Sequence, residues 1–210
     1  MHEFQGRAAR FIFVAFPDVK IFRYLPENAH NLEVLYKLRT KKLTLVLSKI
    51  TRIMTREEKF MQAAIDLSRR GVKHNDGGPF GCVIVKGDMI VGQGNNRVTS
   101  QNDPTAHAEV VAIRNACKNL ETFQLDDCEI FTSCEPCPMC LGAIYWARPK
   151  AIYYANTRED AARIGFDDSM IYDEMNTPVS DRKIPIHKME GDEALKVFEE
   201  WMKKTDKTAY

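Results

Sequence analysis

The chain has no long hydrophobic run. Near its N-terminus the longest is Phe11 to Phe16, far short of the roughly 20 residues that a membrane-spanning helix needs, so no transmembrane segment is expected. Arg7 and Arg10 precede that run, but it ends at Pro17-Asp18 without a small-residue cleavage pattern, and secretion is not expected either. A strong charge of one sign is also missing, since the 210 residues sum to +1. That near-neutrality hides an asymmetry: residues 1–53 carry 10 Lys+Arg against 4 Asp+Glu, which leaves 20 against 25 for residues 54–210. An acidic main body argues against a partner gripped through a phosphate backbone. Internal repeats and low-complexity tracts are absent as well. What is present is a composition of 44% hydrophobic and 28% charged residues, which suits one soluble globular domain with an appendage. The six cysteines, 82, 117, 128, 134, 137 and 140, come without a signal peptide, so a reducing cytoplasm is expected rather than a disulfide framework.

Residues 1–53 show neither helical periodicity nor clean alternation, only patches such as "FIFVAF" and "LTLVL" between basic residues. They read as an N-terminal extension of unknown role, or as the result of an early start codon, with the functional domain spanning 54–210. Thr55 and Glu58 have the spacing of a capping box just before an apolar pattern, which predicts a helix from about residue 55 to Gly71. After "NDGGPFG", the stretch "CVIVKGDMIVGQG" predicts a hairpin turning at Lys86-Gly87-Asp88. Apolar residues at helical spacing follow over about 106–120. "CEIFTS" then predicts a strand, Cys137 to Ala147 a helix and "AIYYAN" a further strand, with "IPIHKM" as an edge-strand candidate and an amphipathic helix over about 192–204. Strands alternating with helices indicate a three-layer α/β domain with its sheet covered on both faces.

The stretch "TSCEPCPMC" at 132–140 carries the chemistry. Cysteines at i and i+3 in the first turn of a helix share a face, so Cys137 and Cys140 can reach one ion, and a helix N-terminus favours the thiolate form that binds zinc. The remaining ligand is His107 in "PTAHAEV". Within a regular helix the side chains of His107 and Glu109 would point about 200° apart. They can face one metal only if His107 lies at or before the first turn, a placement that Asp103-Pro104 favours. Three protein ligands with an open position for water form the catalytic arrangement of zinc. Glu109, close but not a ligand, is then placed to take the water's proton and pass it to a ring nitrogen and a departing amine. His-x-Glu followed by Pro-Cys-x-x-Cys is the signature of the zinc deaminases, and here it reads "HAE" at 107–109 and "PCPMC" at 136–140. If Cys134 supplied a fourth sulfur, the site would instead be closed and structural. Cys82, Cys117 and Cys128 read as core residues.

From about Met54 to Tyr210 the sequence resembles the bacterial guanine deaminases of the cytidine deaminase-like superfamily. The stretches that carry the likeness are "GGPFG", "SQNDPTAHAEVVAIRNAC", "TSCEPCPMCLGAIYWARPKA", "GFDDSMIY" and the terminal Tyr210. The resemblance implies an α/β/α domain with a mixed five-stranded sheet and one zinc per subunit on His107, Cys137 and Cys140. It also implies hydrolysis of guanine to xanthine and ammonia, with Glu109 as proton shuttle. By the same resemblance Asn96 hydrogen-bonds the purine, Phe80 packs on its ring, Asp168 binds the guanine edge and assists proton transfer, and Tyr210 closes the pocket. It implies further a homodimer that exchanges its C-terminal segments. These roles make physical sense: guanine presents an amidine-like edge of N–H donors that suits a carboxylate, and Asn96 offers both a donor and an acceptor. Plainer readings stand beside them. Asp167 and Asp168 can simply cap the helix that starts at Ser169, Phe80 can be core, Asn95 can replace Asn96, and Tyr145 and Trp146 read as core or dimer contacts. A guanosine deaminase and a tRNA adenosine deaminase are the alternative activities. The acidic body weighs against RNA.

Overall fold

The computed structural model describes residues 14–16, 19–21, 54–189 and 191–209. The chain divides into two units at Arg52/Ile53. In the first, β1 (Val14–Phe16) pairs antiparallel with β2 (Val19–Ile21). Everything below concerns the second.

It begins with α1 (Arg56–Lys73), whose N-terminus carries the expected capping box: Thr55 Oγ1 accepts from the Glu58 N–H, and the Glu58 carboxylate accepts from the Thr55 N–H. Strands β3 (Gly81–Lys86) and β4 (Met89–Asn95) form the hairpin, with Gly87 at φ +59° in its two-residue turn. A short helix α2 (Val98–Gln101) leads to α3 (Ala108–Leu120), then β5 (Cys128–Cys134), α4 (Pro138–Ala147) and β6 (Ala151–Asn156). Three more helices follow: α5 (Arg158–Arg163), α6 (Ser169–Asn176) and α7 (Asp192–Lys203).

The sheet order is β4-β3-β5-β6, antiparallel except for the parallel β5–β6 pair that brackets α4. Alternation along the strands builds two cores. Cys82, Ile84, Cys128 and Ile130 face α3 and α4 together with Ala108, Ala112, Ala116 and Ile144, whereas Val83, Val85 and Phe131 face Ala64 and Leu67 of α1. This is the expected three-layer α/β/α arrangement. The sheet has four strands among the described residues, not five. Residues 184–189, the edge-strand candidate, are not a strand; Ile184 and Ile186 are exposed, so the apolar alternation there has no sheet face to bury against.

Small residues bring α3 close to the sheet. Ala108, Ala112 and Ala116 recur every fourth position on its inner face, and a Cβ on Gly94 would lie 2.4 Å from the Ala108 carbonyl oxygen. The N-terminus of α3 therefore rests almost directly on β4, next to the end of β5.

Candidate active site

Two helix N-termini and one strand end converge here. His107 is the N-cap of α3 with extended backbone (φ −69°, ψ 156°), so the turn it makes there brings its ring to the same region as Glu109, two residues later. Cys137 is the N-cap of α4, Pro138 follows in the first turn, and Cys140 points inward from that turn. The Nδ1 atom of His107 is 3.5 Å from each of the two sulfurs. A tetrahedral zinc with Zn–N of about 2.0–2.1 Å and Zn–S of about 2.3 Å sets its nitrogen and sulfur ligands roughly 3.5 Å apart. Two sulfurs and one imidazole nitrogen, spaced in this way within 4.8 Å of one another, fit zinc in both chemistry and size. Hydrogen bonding from Cys140, reinforced by His107, holds the Cys137 thiol well below its ordinary range, and Cys140 as donor is pushed up. The contact with Cys137 raises His107.

Glu109 is buried beside this cluster. One carboxylate oxygen accepts from Thr132 Oγ1 at 2.8 Å and the other from Cys140 Sγ at 3.3 Å. Burial raises its pKa above the usual carboxylate range, while hydrogen bonds from the backbone, Thr132 and Cys140 pull the other way. Cys134 is not part of the cluster. It is buried, its Sγ donates to the Thr157 carbonyl at 3.5 Å, and burial raises it to about 11. The closed four-ligand site is therefore not formed.

His107, Glu109, Cys137 and Cys140 line one cavity of about 420 Å³, and Phe80, Asn96 and Asp168 lie along its wall. Asn96 Oδ1 accepts the backbone N–H groups of Gly78 and Val98, both at 3.2 Å. This corrects the expectation of a side chain offering donor and acceptor alike: the oxygen is engaged by the loop, which leaves Nδ2 to meet a ligand. Gly77 makes that lock possible, because a Cβ there would lie 2.2 Å from Asn96 Oδ1. Asn95 does not replace Asn96; it is buried and donates to Asp76 at 2.9 Å. Both aspartates line the cavity. Asp167 Oδ1 accepts the Ser169 N–H at 2.9 Å, whereas Asp168, at the N-cap of α6, makes no capping hydrogen bond. Burial and the neighbouring Cys137 raise its pKa, and its own backbone N–H and then Arg158 oppose them. Phe80 meets Phe166 edge to face at 4.9 Å.

Tyr210 lies outside the described residues. Tyr145 and Trp146 are 74% and 64% exposed, so neither is core: their positions on α4 point away from the sheet. Cys82 and Cys128 are core, and Cys117 packs at its margin. The residues that escaped sequence reasoning are Thr132, Phe166 and Arg158. Thr132 left a signal, since period two along "CEIFTSC" puts a lone hydroxyl on the face of Cys128 and Ile130. Phe166, in a loop, left none.

The fold and donor set define a class. The chain belongs to the zinc-binding deaminases: residues 54–156 match the zinc-binding region of cytidine and deoxycytidylate deaminases. Within that class it is 55% identical over 153 residues to the guanine deaminase of Bacillus subtilis, covering 73% of this chain and 98% of that protein. The X-ray structure of that enzyme superposes with a TM-score of 0.71 over the same shares. A guanine deaminase from Nitrosomonas europaea is 29% identical at a TM-score of 0.52, over 66% of this chain and 79% of that one. The tRNA-specific adenosine deaminase of Aquifex aeolicus is 30% identical over 70% of this chain and 95% of that protein.

Proposed function

We propose that the protein is a guanine deaminase that hydrolyses guanine to xanthine and ammonia, with one zinc per subunit. The observation that carries this reading is a buried carboxylate, Glu109, hydrogen-bonded beside a His/Cys/Cys cluster at a cavity whose wall presents Asp168 and Asn96. The 55% identity to a guanine deaminase over nearly all of that protein's length supports it. His107, Cys137 and Cys140 would hold the zinc, which would supply Lewis-acid activation of water. Glu109 takes one proton from the attacking water and gives it to the ring nitrogen beside the amino-bearing carbon; it then takes the proton of the newly added hydroxyl and gives it to the amine, which leaves as ammonia while the carbonyl forms. Its burial holds its pKa nearer the operating pH, which suits a group that must both accept and release that proton. Asp168 accepts the N–H groups of the guanine edge, Asn96 Nδ2 donates to a purine acceptor, and Phe80 covers the ring.

We infer further that the enzyme acts in the cytoplasm as a homodimer and that residues 1–53 are dispensable to it. Among the described residues no helix is long and apolar enough to cross a membrane, and all six cysteines are free thiols. Exchange of the C-terminal segment is supported by α7, whose Leu195, Phe198 and Met202 are exposed. A second subunit offers them a surface and brings Tyr210 to the neighbouring cavity.

The deciding experiment incubates zinc-loaded protein with guanine, guanosine, adenine and cytosine while ammonia release and product absorbance are followed. Xanthine from guanine is the expected result. Turnover of guanosine alone would move the activity to the nucleoside, and no turnover of any of the four would send the search to tRNA.

A further inference from the structure

We propose that Arg158 and Tyr172 form a latch that sets Asp168 against the cavity, which makes both of them positioning residues for purine binding. The substrate half of this inference rests on the reading of Asp168 as the carboxylate that binds the purine. Asp168 begins α6, a helix with no buried residue. Apolar burial therefore does little to place α6, and individual contacts decide where it sits. On one side of Asp168, Phe166 meets Phe80 edge to face. On the other, Tyr172 lies four residues on, one helical turn along the same face, and the Arg158 guanidinium carbon stands over its ring at 5.0 Å from the centroid.

Arg158 is itself anchored. Its backbone N–H donates to Glu135 at 3.2 Å and its Nε to Glu159 at 3.1 Å. Glu135 sits between the end of β5 and the Pro136-Cys137 turn. A chain of contacts thus runs from the corner that carries the zinc cysteines, through Arg158 and Tyr172, and one turn back to Asp168. Arg158 also lines the cavity, so a direct contact between its guanidinium and the substrate is the competing explanation. The two differ in what they require: a latch needs both residues, a direct contact needs the arginine alone.

The test uses the zinc-loaded full chain with Arg158→Ala, Tyr172→Ala, the double variant and Tyr172→Phe. With guanine as substrate, each alanine variant is expected to raise KM by roughly two- to tenfold with a smaller change in kcat, the scale of a partly exposed cation–π pair. The double variant should match either single one, as for two groups acting through one contact, and Tyr172→Phe, which keeps the ring, should recover part of the loss. Hydrogen exchange of the amides at 166–172, measured without substrate, should quicken in both single variants while bound zinc stays constant. Additive KM effects, or a KM effect of Arg158→Ala without one of Tyr172→Ala, would overturn the latch, as would unchanged exchange at 166–172. If the wild-type chain fails to turn over guanine, the substrate reading falls, and the exchange data alone still decide whether the latch exists.

Discussion

Glu109 and Cys140 stand in contact at 3.3 Å, yet the proposed mechanism gives the glutamate and the cysteines separate chemical work, which single substitutions separate. Glu109 binds no metal in the proposed mechanism, so Glu109→Ala should keep its zinc and lose about 10²–10⁴-fold in turnover, the usual share of a positioned proton-transfer group. Cys137→Ala removes one of three ligands and should lose zinc and turnover together. Metal content by atomic absorption beside kcat separates the two cases, and retained activity in Glu109→Ala would remove the proton shuttle from the mechanism. At this scale the sequence was legible wherever residues are local. The two-residue separation of His107 and Glu109 by itself required a helix start, and the structure has one there. Contacts across the sheet were not legible: period two places Thr132 on the inner face, but nothing in the string pairs it with a glutamate 23 residues earlier.

Elements deliver these side chains by close approach. The N-terminus of α3 can reach the zinc cluster because β4 offers no side chain at Gly94, where a Cβ would meet the Ala108 carbonyl oxygen at 2.4 Å. Gly94→Ala must therefore push the helix off the strand, at a cost of about 1–3 kcal/mol for overpacking. The expected result is a lower unfolding temperature with weaker zinc retention during titration with a chelator. An unchanged zinc affinity would mean that α3 tolerates the shift without moving His107. Strands β3 to β6 and helices α1, α3, α4 and α7 followed from caps, periodicity and alternation, which are properties of neighbouring residues, whereas "NNRVTSQND" reads as a loop and holds the short α2. The stretch at 184–189 did not follow, because alternation reports a face to bury and cannot report that no strand edge lies alongside.

For the whole molecule, two expectations concern parts that lie outside the catalytic cluster. If residues 1–53 are dispensable, a chain beginning at Met54 should match the full chain in solubility and in kcat/KM; loss of either would assign the segment a structural or catalytic task. If the C-terminal segment crosses between subunits, mixing Glu109→Ala protein with protein shortened by Tyr210 should restore part of the activity that each lacks alone. No recovery after mixing and re-equilibration would place Tyr210 in its own subunit's site. The described residues suit such an exchange, since α7 shows its apolar face to solvent within one chain.

The sequence by itself determined the His/Cys/Cys donor set, the order of the main strands and helices, and the starts of α1, α3 and α4, because spacing and capping act over a few residues. Only the tertiary structure decided how adjacent residues differ in their partners. It turned Asn95 to Asp76 and locked Asn96 by its oxygen, and it engaged Asp167 with the Ser169 N–H while leaving Asp168 without a capping hydrogen bond, both at the cavity wall. Those choices depend on backbone groups brought together from distant parts of the chain, whose partners no local pattern can name.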